Sequence, residues 1–579
     1  MKQRIIYKLM AGTLAALMLC SAVSCAKTPA SSGTTPPTGS TGSTTETKYY
    51  NETGYPICDK PITVEVAHEA GKADYMKSKS WEIIKKELGI ELKSKPIISE
   101  SWNDQFTLML STDALPDLIK TPNGSLSLVD IEKYGKTQGF FADIKQYMDL
   151  MPNMKKLMDG DSSGAFERNI TSSDSKIYGF ATYRDSVLDT NVVRTWIDLD
   201  FLKNCGIDKI PTTVDEFYET LKAFKENDAN GNGDKDDEIP LDFVTTWHGD
   251  YITRMLMGAF GITTSSPKIS LMVQTGKVVL GQTTENYKEY LKFMHKLYAE
   301  GLMSEDAFSQ THEQHEANIT AQRTGVFGAD AFNLSNGQVK DNTHYGYIGG
   351  LASKYTNNKV YTTNSESTST PVIFISSKSQ YPEAICRLVD YYYDPKHGNE
   401  DFGGMVDGFN CEFKKYGSTD YEMLVKKPEW DGLTDDQEKA KLESLGYEAV
   451  GSNVFSVFPT SQFTSKGLVL SVDDKTLRSD DLVNTFGWSA VEEIWMRDVK
   501  PEEAYCYPTL AYTAEQATEI STIKADIKEY VNSQFAAFVI GKQDIDAEWD
   551  NYQSELKKAG LDRLLEVEQA AYDATMNKG

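Results

Sequence analysis

Thr213-Val214-Asp215-Glu216-Phe217-Tyr218, running on through Leu221-Lys222-Ala223-Phe224-Lys225 and into Asp228-Ala229-Asn230-Gly231-Asn232-Gly233-Asp234-Lys235-Asp236-Asp237-Glu238-Ile239-Pro240, sets a helix, a loop and a strand in one stretch. Val214, Phe217, Leu221 and Phe224 recur at helical spacing behind Thr213, whose hydroxyl can cap the first turn. The apolar run Leu241 to Val244 beyond the loop reads as a strand. Between them, oxygen side chains stand at loop positions 1, 3 and 5 (Asp228, Asn230, Asn232), a turn-making glycine at 6, and carboxylates at 9 to 11 (Asp236, Asp237, Glu238). Hard oxygens converging at this spacing suit Ca2+ in a structural role, pinning the end of the helix. Ile239 fills position 12, where an EF-hand loop carries its bidentate Glu, so the closing carboxylate has to come from Asp236, Asp237 or Glu238. A solvated Asn/Gly/Asp turn without metal is the alternative.

Outward from this stretch, helices and strands alternate. Thr63-Val64-Glu65-Val66 has strand alternation, Ser101 to Leu110 is helical, and Leu115 to Ile119 reads as a short strand. Asn286 to Glu300 repeats the helical pattern with Tyr290, Phe293, Met294 and Leu297, and Gly301 stops it. Thr370 to Ser376 is a buried-strand run before a helix from Pro382 to Tyr393, while 514 to 577 are nearly all helix. Ser/Asn-rich stretches near 333 to 342 and 352 to 370 read as surface loops. The sum is an α/β chain with a helical C-terminal third.

At the other end, Lys2, Arg4 and Lys8 precede an apolar stretch from Leu9 to Leu19, the layout of an export signal and too short to span a bilayer. The quartet Ala22-Val23-Ser24-Cys25 resembles a bacterial lipobox, with Ala22 where Leu is more frequent. That resemblance implies a signal peptide over 1–24 and a lipidated Cys25; an ordinary secretory signal is the alternative. Residues 26 to 47 are almost entirely Ser, Thr, Gly, Pro and Ala, so a tether over 25–48 is expected, with a coil reach of about 26 Å. The rest of the 579 residues is too long for one ordinary core and suits two lobes. A formal charge of −26 argues against nucleic acid and anionic membrane surfaces, which demand clustered cations. Cys58, Cys205, Cys386, Cys411 and Cys506 show no paired spacing, so free thiols are expected, with one or two bridges left open.

The helix and loop first quoted, taken with Pro211-Thr212, resemble the solute-binding lipoproteins of bacterial ABC importers, in the extracellular family 1 that serves sugars and oligosaccharides and includes the alginate-oligosaccharide-binding proteins. Trp102 to Leu110 with Leu115-Pro116-Asp117, Trp196-Ile197 with Phe201-Leu202, Tyr287 to Leu302, Gly325 to Gly328, Tyr507 to Leu510 and Trp549 to Tyr552 agree in order, so the resemblance covers essentially the whole body. It implies calcium held by the side chains of Asp228, Asn230 and Asn232 and the main chain of Asp234, closed among Asp236, Asp237 and Glu238. It implies a two-lobed periplasmic-binding-protein-like fold of type II, hinged between lobes at 49–185 plus 326–400 and at 186–325 plus 401–579. It further implies a monomeric, non-enzymatic receptor, lipid-anchored at the extracellular face of the bacterial cytoplasmic membrane. Such a receptor hands a carbohydrate to ABC transporter permease subunits.

A sugar cleft needs flat apolar faces and planar polar groups near the lobe junctions. By position the candidates are Trp102, Asn123, Tyr183, Arg184, Asp185, Trp247, His248, Asp330 and Trp488, with Trp247-His248 favoured because it follows the Leu241 to Val244 strand. Each has a bland reading as core aromatic or surface ion pair. His312-Glu313-Gln314-His315-Glu316 lacks the spacing of a zinc-protease helix and reads as an exposed polar helix face. The alternatives are a surface carbohydrate hydrolase, whose Asp/Glu pairs mean little among 85 acidic residues, and a wall adhesin or scaffold.

Overall fold

The computed structural model describes residues 48–448 and 503–576, apart from 71–74, 123, 162, 184–193, 246–249, 265, 330–344, 364–365, 367, 395–396, 398–405, 416–421, 431–432 and 506. The chain opens with β1 (Ile62–Glu69), α1 (Lys79–Lys86), β2 (Ile90–Ile97), α2 (Trp102–Ser111), β3 (Leu118–Lys120), α3 (Leu128–Ile131), α4 (Pro152–Gly160), α5 (Ala165–Ile170) and β4 (Phe180–Tyr183). There follow β5 (Thr195–Asp198), α6 (Leu199–Asn204), α7 (Val214–Glu226), β6 (Ile239–Asp242), α8 (Tyr251–Ala259), β7 (Leu271–Gln274), β8 (Lys277–Leu280), α9 (Glu285–Ala299), α10 (His312–Thr320), β9 (Thr324–Gly328) and β10 (Tyr345–Ile348). The remainder is β11 (Tyr361–Thr363), β12 (Thr368–Ile375), α11 (Pro382–Tyr393), β13 (Cys411–Lys415), β14 (Glu422–Lys426), α12 (Asp435–Ser444), β15 (Glu503–Tyr505), α13 (Ala514–Val539), α14 (Ile545–Lys558) and α15 (Leu561–Met576).

Two sheets organise these elements. The first has the order β2-β1-β3-β12-β4, with β1, β2 and β3 parallel and β12 antiparallel to both of its neighbours. Trp81, Ile84, Met154, Phe166 and Leu388 cover one of its faces, and Trp102, Phe106 and Ile131 cover the other against Ala67, Ile119 and Phe374. The second sheet runs β10-β5-β9-β6. Its core takes Phe217 and Phe224 from α7, Tyr290 from α9 and Val531, Tyr552 and Leu564 from the three C-terminal helices. The helical face expected behind Thr213 is thus the one buried, and the Thr213 hydroxyl accepts Glu216 N–H at 3.2 Å.

Two lobe boundaries differ from the sequence expectation. β10 and the larger part of β9 lie within 326–400, assigned above to the first lobe, yet the two strands pair with β5 and β6 in the second sheet. Gly325 selects that sheet: a β-carbon there would stand 2.5 Å from the Phe224 ring, so glycine alone lets α7 pack down onto β9. The stretch from Val406 to Glu448 belongs to the first lobe, not the second. Val406 sits in the first core, Lys79 lies over the Phe409 and Tyr447 rings at 5.3 and 5.4 Å, and Glu448 N–H donates to the Lys77 carbonyl at 3.0 Å. The expected loop at 352 to 370 contains β11, which pairs in parallel with β15. The 333 to 342 stretch lies outside the described residues.

Cys58, Cys386 and Cys411 are buried, Cys205 is half-buried, and all four are free. Burial pushes the thiols of Cys58 and Cys411 up to about 11 and about 12, and Cys386 is raised by the same cause.

Asp390 of α11 caps α4, its carboxylate accepting Met154 N–H at 2.8 Å and Asn153 N–H at 3.3 Å. Burial pushes its carboxyl up from 3.8 to about 6, against those two bonds and nearby Arg387. Folding therefore favours the protonated form. The stability it contributes is full below the ordinary carboxyl range and lost as pH rises through about 6. Asp390→Asn, which cannot ionise, should flatten the fall in melting temperature between about pH 4 and about pH 6; an unchanged slope would assign it to other groups.

Candidate ligand-binding cleft

β1, β2 and β3 end on one edge of the first sheet, at Glu69, Ile97 and Lys120, and β4, antiparallel to β12, ends there too at Tyr183. In the second sheet β6, β9 and β10 end at Asp242, Gly328 and Ile348, on the edge where β5 begins. The chain passes between the sheets from Tyr183 to Thr195 and from Ile348 to Thr368, so both crossings link these two edges. The carboxyl ends of parallel strands are where open α/β sheets bind ligands.

On the first edge, His68 is buried, its ring nitrogens 2.7 Å from the Glu69 carbonyl and 2.7 Å from Ser94 Oγ, and burial lowers its basicity. Lys120 is buried as well and donates to the Thr121 carbonyl at 2.8 Å. Trp102 is 2 % exposed and stacked on Phe106 in the first core, and its indole N–H finds no acceptor among the described residues. Half-buried Tyr183 stacks on Phe166, centroids 5.4 Å apart. Asn123, Arg184, Asp185, Trp247, His248, Asp330 and Trp488 lie outside the described residues. The described residues next to three of them (Pro122, Tyr183 and Ala329, beside Asn123, Arg184 and Asp330) lie at or just beyond strand ends of the two edges.

The second edge carries groups that the sequence reading passed over. Tyr251, at the start of α8, lies between the guanidinium groups of Arg194 and Arg254, 6.0 and 5.1 Å from its ring centroid, and Arg254 pairs with Asp250 at 2.9 Å. An Asp and an Arg four residues apart directly after Trp247-His248 was the available signal. The Trp196 indole N–H donates to the Ala329 carbonyl at 2.9 Å, tying β5 to the end of β9. A separate groove of about 590 Å³ lies between Lys133, Arg168 and Asn169 of the first lobe and Tyr512, Gln516 and Ala571 of the C-terminal segment.

The 228–240 loop is folded by its own turns. Asp228 Oδ2 accepts Gly233 N–H at 2.9 Å, Asn230 Oδ1 accepts Asn232 N–H at 3.0 Å, and Asn232 Oδ1 accepts Asp234 N–H at 2.7 Å. Glu238 Oε1 accepts Ala229 N–H at 2.8 Å and so closes the loop back on its start, while Asp237 takes the amides of Asn230 and Asn232. The two outer carboxylates each keep one buried oxygen, Asp228 Oδ1 and Glu238 Oε2, without a hydrogen-bond partner. Burial first, then the adjacent Asp237 charge, raise the Glu238 carboxyl above its usual range. Two partnerless anionic oxygens at the ends of an oxygen-rich loop fit a hard cation. Carboxylates, imidazoles and thiols among the described residues form no group of three or more able to hold an ion, so a cation here depends on asparagine and main-chain oxygens too.

Two α/β lobes linked by crossings at the carboxyl edges of their sheets have the architecture of a solute-binding protein. No known family model matches the chain. It is 27 % identical over 498 residues to the fructooligosaccharide ABC transporter substrate-binding protein FusA of Streptococcus pneumoniae serotype 4, across 85 % of this chain and 86 % of that protein. FusA in complex with kestose superposes with a TM-score of 0.62 at 24 % identity, over 90 % of this chain and all of that one. Lipoprotein LipO of Bacillus subtilis is 30 % identical over 240 residues, covering 40 % of this chain and 42 % of LipO. The alginate-binding protein AlgQ2, solved without calcium ion, superposes with a TM-score of 0.57 at 21 % identity, over 89 % of this chain and 98 % of that one. The chain therefore has the α/β solute-binding fold, and its homologues are sugar-transporter binding proteins and not enzymes.

Proposed function

We propose that this protein captures an oligosaccharide outside the cell, between its two lobes, and delivers it to an ABC importer. The relation to FusA along 85 % of the chain carries this reading, and the joined carboxyl edges supply a place for the sugar. Trp102, Asn123, Tyr183, Arg184, Asp185, Trp247, His248, Asp330 and Trp488 remain the proposed contacts, joined by Tyr251 and Arg254. A lipid on Cys25 would hold the body at the membrane through the 25–48 tether; among the described residues no helix is long and apolar enough to cross a bilayer. The protein acts as a monomer in this reading.

Thermal-shift screening of residues 48–579 against kestose, nystose, uronic-acid oligomers and neutral glucans tests it, since a ligand of the native state must raise the melting point. No shift with any saccharide would overturn the carbohydrate reading, and product release from them would favour the hydrolase. Trp247→Ala should weaken the sugar found by about 1–3 kcal/mol, the worth of one stacked ring, and calorimetry with undiminished affinity would remove Trp247 from the cleft.

Calcium in the 228–240 loop is part of the same proposal, with Asp228, Asn230, Asn232, the Asp234 carbonyl and Glu238 as ligands and Asp236 or Asp237 completing the shell. The partnerless oxygens of Asp228 and Glu238 support it, as does the existence of an EF-hand mutant of FusA. Bound at a hundredfold excess over Kd, the ion would add about 2.7 kcal/mol of stability. A chelator should lower the melting point of the wild type and leave Asp228→Ala unmoved; equal responses would mean the loop is a turn alone.

A further inference from the structure

In the HEQHE stretch, read above as an exposed polar face, Glu313 and Gln314 are exposed, but His315 is 1 % exposed and points into the second lobe, where Asp242, 0 % exposed, ends β6. His315 Nδ1 lies 3.1 Å from Asp242 Oδ2, and Nε2 lies 3.3 Å from the Gly328 carbonyl, the last residue of β9. Both neighbours are acceptors. A neutral imidazole carries one N–H and one lone pair, so one of these contacts would set lone pair against lone pair in a buried place. Two protons are needed, one on Nε2 and one between Nδ1 and Asp242. The carboxylate already accepts Gln310 Nε2 at 2.6 Å and Asn318 Nδ2 at 3.2 Å, and donors aimed at it favour its charged form, which leaves the shared proton on the ring. These are the groups that β6, β9 and the approach to α10 turn toward the ring; on its own helix, His312 Nε2 lies 3.1 Å from Glu316 Oε1.

We propose that His315 is a positioning residue held as a buried imidazolium, and that its two N–H groups staple the end of β6 to the end of β9 and so set the two second-lobe segments bordering the cleft. From Asp242 the chain runs on through Phe243 to Thr245, and from Gly328 to Ala329, which also receives Trp196. Gln310 reinforces the first of these, donating to the Phe243 carbonyl at 2.9 Å. The staple's meaning for capture rests on the cleft reading; its protonation and its effect on the two strand ends do not, and both are measured without sugar.

The test is two-bond 1H–15N correlation on ring-labelled histidines of the chain from residue 48, with hydrogen exchange read at 243–245 and 328–329. One histidine, lost from the spectrum of His315→Gln, should show both ring nitrogens protonated at about pH 6. Gln can donate to one of the two acceptors in that direction but not to both, so exchange at the strand ends should run about tenfold faster in His315→Gln, corrected for intrinsic rates. A bare Nδ1 or Nε2 at about pH 6, or strand-end exchange equal in wild type and variant, overturns the proposal. Should His315→Gln fail to fold, ring-proton contacts to Gly328 assign the wild-type signal, and the presence or absence of both ring N–H groups alone decides.

Discussion

Glu366→Ala should destabilise the protein by about 3 kcal/mol, toward the lower end of what breaking a buried ion pair costs, because Arg168 keeps some solvent contact. Glu366 stands between β11 and β12, on one of the crossings between the lobes, with a side chain 8 % exposed against 17 % for Arg168. Its carboxylate takes Arg168 and, at 2.8 Å, Asn169 Nδ2, both from α5, and at 3.0 Å the Thr509 N–H of the C-terminal segment. One side chain thus ties a first-lobe helix, a crossing segment and the return into the second-lobe helices. Alanine leaves a guanidinium, an amide and a backbone N–H without their acceptor; Glu366→Gln, which keeps one carbonyl oxygen, should lose less. Urea unfolding measures both, and a loss under about 1 kcal/mol for alanine would show the pair to be solvated in solution.

Gly89→Ala is expected to cost at least as much, for a reason of backbone alone. Gly89 has φ of +73°, and a β-carbon there would stand 2.1 Å from the Cys58 carbonyl oxygen. The two segments cannot move apart cheaply, because Leu88 O accepts both Ile57 N–H at 2.9 Å and Cys58 N–H at 3.2 Å. Strain and overlap together should exceed about 3 kcal/mol, whereas Gly124→Ala, with the same φ and nothing within 4 Å, should lose about 1 kcal/mol. Equal losses would mean that the turn, and not the contact with Cys58, sets the requirement.

Local pattern carried far in this chain. The helix behind Thr213, the helix expected over Asn286 to Glu300, the helix from Pro382 to Tyr393 and the strand before it fall where periodicity and the Thr213 cap put them. Those features depend on residues close in sequence. Strand partnership does not: the Gly325 to Gly328 run suits either sheet, and its place is decided by Phe224 a hundred positions earlier, through a contact no pattern announces. The excursion from Val406 to Glu448 was hidden for the same reason, its anchors being Lys77, Lys79 and Glu82 of the first lobe. His315 looked like part of a polar face because one short helix offers too few turns for its inward side to declare itself, and Asp242 lies 73 positions away. At the second edge, sequence singled out Trp247-His248, which lie outside the described residues, but passed over Tyr251, Arg194 and Arg254, whose grouping exists only once α8 packs beside β5.

The described cysteines fix how this body comes to be made. Thiol–disulfide exchange begins with attack by a thiolate, and at Cys58, Cys386 and Cys411 burial both holds the proton on sulfur and shuts out an attacking partner. Cys205, less enclosed, points its sulfur at the Ala223 carbonyl, 3.4 Å away. Folding at these four positions therefore waits on no oxidase and no isomerase. A chain produced in a reducing cytosol and one produced beyond the membrane would carry the same covalent structure there, and once folded neither gives glutathione or an oxidant a ready sulfur at the three buried sites.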